Sequence, residues 1–128
     1  MTFKRVVITG VGALTPIGNT RQEYWEGLKK GISGAAPITR FDATLFKTKF
    51  ACEVKGFDIG KFMDRKEARK MDPFAQYAMV VADEAIIDSK LSLTEIDPDR
   101  AGVIWGSGIG GLLTFQEEVK ALDRKSVV

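Results

Sequence analysis

Phe3-Lys4-Arg5-Val6-Val7-Ile8-Thr9-Gly10-Val11-Gly12 stands near the start of the chain. From Phe3 to Thr9 its hydrophobicity is continuous rather than alternating, and its centre is β-branched. That is the pattern of a strand buried on both faces. Gly10, Gly12, Pro16 and Gly18 then mark a loop. Lys4 and Arg5 ahead of an apolar run also suit a targeting signal, but a signal needs an unbroken apolar helix and a small-residue cleavage site. The glycines and proline interrupt the run, so the strand reading is preferred. Ala101-Gly102-Val103-Ile104-Trp105 is a second run of the same kind, again followed by glycines.

Helical signals lie between and after these runs. Asn19 or Thr20 caps a helix through about Lys30, with Tyr24, Trp25 and Leu28 as its apolar stripe and Gly31 as its stop. Residues 32–47 read as an irregular excursion, and Phe50 to Val54 as a short strand. A charged segment, Lys61 to Lys70, leads to Asp72-Pro73, a helix start with proline in the first turn. From Phe74 to Ile87 the sequence is apolar almost all round, so this helix must be covered on most sides. Asp97-Pro98-Asp99 is a turn, and Leu112 to Leu122 a final helix. The order β-α-(insertion)-α-β-α predicts a parallel α/β sheet with helical cover. Two strands and three helices cannot cover the helix at 73–87, so the chain is expected to be part of a larger fold.

The tail Asp123-Arg124-Lys125-Ser126-Val127-Val128 departs from the preceding apolar period. With one permitted codon choice it back-translates to a common sequencing-library adapter. Residues 1–122 are therefore taken as the domain and 123–128 set aside as an expected non-native scar.

Composition narrows the chemistry. The chain has 128 residues, 45% apolar and 28% charged, with a net charge of +2. So small a basic excess gives no reason to invoke nucleic acid or a membrane surface, and no stretch approaches the ~20 apolar residues of a membrane span. A single Cys fits a reducing, cytoplasmic setting. Zero His removes an imidazole base, a Ser-His or Cys-His pair and a His zinc site. Chemistry that needs an imidazole is therefore expected elsewhere, and no metal or cofactor site is expected in this chain. Cys52, with neither a helix N-terminus nor a His beside it in the sequence, reads as a small core or interface residue.

Two constellations carry functional alternatives. Gly106-Ser107-Gly108-Ile109-Gly110-Gly111 spells a dinucleotide fingerprint after a strand, but no acidic residue follows at the required distance of ~20 positions. A plain tight strand-to-helix turn is the preferred reading. Lys61, Arg65, Lys66, Arg69 and Lys70 are interrupted among charged residues only by Asp64 and Glu67. Helical spacing groups Lys66, Arg69 and Lys70, as a solvated face or as a docking patch for an acidic partner.

Three motifs in register, Lys4 to Gly12 with Thr15-Pro16-Ile17-Gly18, Arg65 to Asp72, and Gly106 to Gly111, resemble the N-terminal part of β-ketoacyl-[acyl carrier protein] synthases, the synthase II type above all. The resemblance runs from about residue 3 to residue 122. It implies a thiolase-like α-β-α-β-α layered fold, of which this chain holds only part of the N-terminal half, and a homodimer. It also implies decarboxylative Claisen condensation of an acyl thioester with malonyl-carrier protein. The family's nucleophilic Cys and two His follow the matched region, so the chain alone is expected to be inactive, and Cys52 does not occupy the nucleophile's position. By the same resemblance Lys66, Arg69 and Lys70 meet the acidic acyl carrier protein. Gly108 and Ile109 line the acyl channel, where Ile109 matches the residue limiting chain length; a packed turn residue is its plainer reading. The alternatives are a non-catalytic chain-length-factor subunit, a small nucleotide-binding module using the glycine loop, and a stand-alone docking module.

Overall fold

A computed structural model describes residues 3–92 and 94–126; Val127 and Val128 of the tail lie outside the described residues. Its elements in chain order are α1 (Arg21–Lys29), β1 (Ala36–Pro37), β2 (Phe50–Ala51), α2 (Arg65–Ala68), α3 (Pro73–Ser89) and α4 (Leu112–Ser126). Single 3-10 turns occupy Ile59–Lys61 and Pro98–Arg100. Two compact units result. The first combines Met1–Asp58 with Val80–Leu91, the second Ile59–Met79 with Ser92–Val128.

In the first unit α1 begins where the sequence predicts. The Thr20 hydroxyl accepts the Glu23 N–H at 3.2 Å, and the Glu23 carboxylate reaches back to the Asn19 N–H at 2.8 Å, which satisfies donors the first turn leaves open. Gly31, at φ +63°, ends it in the left-handed region. The glycine loop ahead of α1 lies against the second half of α3. Val11 N–H donates to Asp88 Oδ2 at 3.0 Å and Ala13 N–H to Glu84 Oε2 at 2.7 Å. Glu84 Oε1 takes the Arg21 N–H at the start of α1, 2.8 Å away, and the Arg21 guanidinium pairs with Asp88. Glycine is required for this approach: a Cβ on Gly12 would run into the Val81 carbonyl oxygen, and one on Gly10 into that of Ala85.

The short strand predicted at 50–54 is confirmed at its start, β2 pairing antiparallel with β1 (Ala36 opposite Ala51, Pro37 opposite Phe50). It is the one ladder among the described residues. The two runs read as buried parallel strands do not form strands. Phe3 to Thr9 and Ala101 to Trp105 enter no ladder, and Val6 is 89% and Ile104 99% exposed. A strand is completed by a neighbour's N–H and C=O groups, and no neighbouring segment supplies them among the described residues. These residues therefore do not build the layered sheet.

Burial is correspondingly thin. Gly27, Ala68 and Val80 are the only buried positions among the described residues. The accessible surface, 11157 Å², compares with about 6,700 Å² expected of a folded monomer of this mass. Of α3, read as covered on most sides, only Val80 is buried, and Ile87 is 76% exposed. Cys52, read as a core or interface residue, is exposed immediately after β2. α4 starts at Leu112 as predicted but continues through Asp123-Arg124-Lys125 to Ser126. An exposed last turn needs no apolar period, and Arg124 and Lys125 complement the negative end of the helix dipole.

Candidate functional site: a basic helix and a glycine loop

Both candidate constellations lie in the second unit. The basic segment folds as the single-turn helix α2. The Asp64 side chain caps it, accepting the Lys66 N–H at 2.8 Å. A helix this short does not hold itself. Gln76, on the first half of α3, does the holding: its Nε2 donates to the Ala68 carbonyl at 2.9 Å and to the Met71 carbonyl at 3.0 Å. Ala68, 3% exposed, seats the same turn. The clamp ties the end of α2 to α3 through the Ala68 carbonyl, which also accepts the Met71 N–H, and through the Met71 carbonyl just beyond the helix.

Lys66, Arg69 and Lys70 are all exposed, as a docking patch requires. They are not equivalent. Lys70 is held by Glu67 at 2.7 Å, while Lys66 and Arg69 make no ion pair among the described residues. Arg65, one turn before Arg69, is likewise unpaired. Arg65 and Arg69 border a small hollow of about 200 Å³ with Ile59, Ala68 and Gln76.

The glycine loop approaches the start of α3 through its last two residues. Gly110 lies on the Phe74 ring, so that a Cβ would stand 2.8 Å from it. Gly111 adopts φ +75° beside the Asp72 carboxylate. Thr114, in the first turn of α4, donates its hydroxyl to Asp72 Oδ1 at 2.7 Å. Asp72 thus opens α3, its carbonyl accepting the Gln76 N–H, and ties α4 to it. An open groove of about 750 Å³ follows, bordered by Lys70, Met71, Phe74, Gly110, Thr114 and Phe115 among others. Gly108 and Ile109 do not border it. Nothing lies within 4 Å of a Cβ placed on Gly108, and Ile109 is 75% exposed, so Ile109 is not the packed turn residue of its plainer reading. Phe74 fills the face of Gly110 where a dinucleotide site needs a pyrophosphate to approach, and among the described residues no strand precedes the loop.

Gln76, Asp72 and Thr114 were not marked by the sequence. Asp72 announced only a helix start, and nothing local to Gln76 signals its two carbonyl partners. The carboxyl groups with perturbed ionisation lie in the first unit. The Thr39 hydroxyl holds Glu53 below the usual range, and the Thr44 hydroxyl and N–H do the same for Asp42. Among the described residues no group of three or more His, Cys, Asp or Glu is placed to hold a metal. No helix among them is long and apolar enough to cross a membrane.

Comparison with known proteins settles the relationship. The sequence model of the family described as "Beta-ketoacyl synthase, N-terminal domain" matches residues 3–127. The chain belongs to the β-ketoacyl synthase family. It is 51% identical over 115 residues to the 3-oxoacyl-[acyl-carrier-protein] synthase 2 of Synechocystis, covering 90% of this chain and 28% of that protein. Identity to the Staphylococcus aureus (strain COL) synthase 2 is 50% over 119 residues (93% and 29%), and to that of Vibrio harveyi 47% over 125 residues (98% and 30%). This β-ketoacyl synthase segment therefore spans under a third of the length of these relatives. Among solved structures, "The ishigamide ketosynthase/chain length factor" superposes with a TM-score of 0.63 at 39% identity, over 70% of this chain and 22% of that one. The expected family is thereby established, and with it the thiolase-like fold to which the segment contributes.

Proposed function

We propose that the chain serves a 3-oxoacyl-[acyl carrier protein] synthase of fatty-acid synthesis, an acyltransferase that lengthens acyl chains by decarboxylative Claisen condensation with malonyl-carrier protein. Its share of that work is recognition. Lys66, Arg69 and Lys70 on α2 dock the acidic carrier protein, and the loop carrying Gly108 and Ile109 borders the acyl chain once the remainder of the protein encloses it. The observation that carries this reading is α2 itself. A single basic turn is capped by Asp64 and clamped by Gln76 with its cations facing solvent, in a chain half identical to synthases of this specificity.

Catalysis falls to residues outside this segment. Condensation needs a thiolate at a helix N-terminus, donors for the oxyanion and a group to stabilise the enolate. The sequence has no His, and Cys52 follows a two-residue strand rather than preceding a helix. The active protein is a cytoplasmic homodimer using no cofactor, and the 128-residue chain alone does not turn over. A second reading, a chain-length-factor subunit that keeps the fold without the nucleophile, is favoured by the ketosynthase/chain length factor neighbour; a nucleophilic Cys in the remainder of the protein would decide for the synthase.

The test is binding of an acyl-loaded carrier protein followed by fluorescence anisotropy. Affinity should fall steeply as salt is raised, and Lys66→Glu with Arg69→Glu should weaken it at least about tenfold. Binding indifferent to both salt and charge reversal refutes the docking role. Radiolabelled malonyl-carrier elongation by the purified chain refutes its catalytic silence.

A further inference from the structure

The groove bordered by Phe74 and Phe115 has nothing in the structure to say what covers it, and the exposed runs at 3–9 and 101–105 share that difficulty. The hollow between Arg65 and Arg69 carries further.

Arg65 and Arg69 stand four residues apart, on the same side of α2, where two like charges repel. Neither guanidinium is paired among the described residues. The acidic side chains nearest in sequence are engaged elsewhere: Asp64 caps the Lys66 N–H, and Glu67 holds Lys70. Between the two arginines lies a hollow of about 200 Å³ with an apolar wall, Ile59 and Ala68, and the amide of Gln76. That amide has already committed its N–H groups to two carbonyls, so the hollow is held in shape rather than left to collapse. Two unneutralised guanidinium groups flanking a preformed, partly apolar depression suit a carboxylate. Each arginine presents a fork of donors matched to two oxygens, and the apolar wall strengthens the pairing by excluding water.

We infer that Arg65 and Arg69 form a notch that takes one carboxylate side chain of the acidic carrier protein, with Gln76 as the residue that positions it. The inference rests on the docking role proposed above and changes its membership. Arg65 becomes a principal anchor, and Lys70, already neutralised by Glu67, a minor one.

The same anisotropy titration tests it. Arg65→Ala should weaken binding by about fivefold or more, and Lys70→Ala by less than about twofold. Arg65→Lys should recover little, because an ammonium cannot grip both oxygens. The double variant Arg65→Ala/Arg69→Ala should lose less than the product of the single losses, since both groups serve one carboxylate. Gln76→Met, which keeps size and charge but cannot donate, should reproduce the loss and abolish the non-additivity; circular-dichroism melts identify any variant that has lost its fold. Arg65→Ala binding like the unaltered chain, while Lys66→Glu with Arg69→Glu still binds poorly, overturns the notch alone. Salt-insensitive binding by the unaltered chain overturns the docking role, and the notch with it.

Discussion

Replacing Glu84 by alanine removes the acceptor shared by the glycine loop and the start of α1. One oxygen holds the Ala13 N–H at 2.7 Å in a part-buried setting, the other the more exposed Arg21 N–H at 2.8 Å. A hydrogen bond to an ionised carboxylate contributes about 1.5–3 kcal/mol; the Arg21 bond sits at the low end because solvent screens it. Glu84→Ala should therefore cost about 3–4.5 kcal/mol, a fall in Tm on the order of 10–20 °C for a chain of this length. Glu84→Gln, which keeps one acceptor oxygen and loses the other, should cost about half as much. Urea titration measures the total, and amide hydrogen exchange at Ala13 and Arg21 isolates the two bonds. Unchanged exchange at both amides, with stability within about 0.5 kcal/mol of the parent, would refute the shared-acceptor account.

Three other substitutions have defined outcomes. Gly12→Ala should destabilise by about 3 kcal/mol or more, because the new methyl meets the Val81 carbonyl of a helix that cannot yield. Gly102→Ala, with nothing within 4 Å of its Cβ, should stay within about 0.5 kcal/mol in the same melts. Thr39→Val should raise the Glu53 pKa back to the ordinary glutamate range, read by carboxyl NMR titration. Because the Thr39 hydroxyl lowers that pKa, its contribution is complete above the ordinary glutamate pKa and is lost as pH falls through the lowered value; a pKa unmoved by the substitution removes Thr39 as the cause.

What the sequence disclosed were the elements that satisfy themselves. α1 carries its cap at Thr20 and its stop at Gly31, α3 announces itself with Asp72-Pro73 and an apolar run, and each forms within about two residues of its predicted bounds. The runs at 3–9 and 101–105 read just as clearly as strands and are not strands here, since a ladder depends on residues elsewhere. The candidate site divides the same way. The cations of α2 were legible from spacing. Their inequality was not, because it depends on Glu67 reaching Lys70 and on Gln76 reaching back eight residues to Ala68. Glycines at 110 and 111 were visible as a turn, but the Phe74 ring and the Asp72–Thr114 bond that make them necessary join positions far apart in the chain.

Val6, Val7 and Ile8, and likewise Val103 and Ile104, present β-branched side chains and backbone polar groups to water, with no strand partner among the described residues. Such stretches are templates for one another between molecules as readily as within one. Prepared by itself, the chain should clump as its concentration rises, and a charged substitution within either run, such as Ile104→Lys, should keep it dispersed.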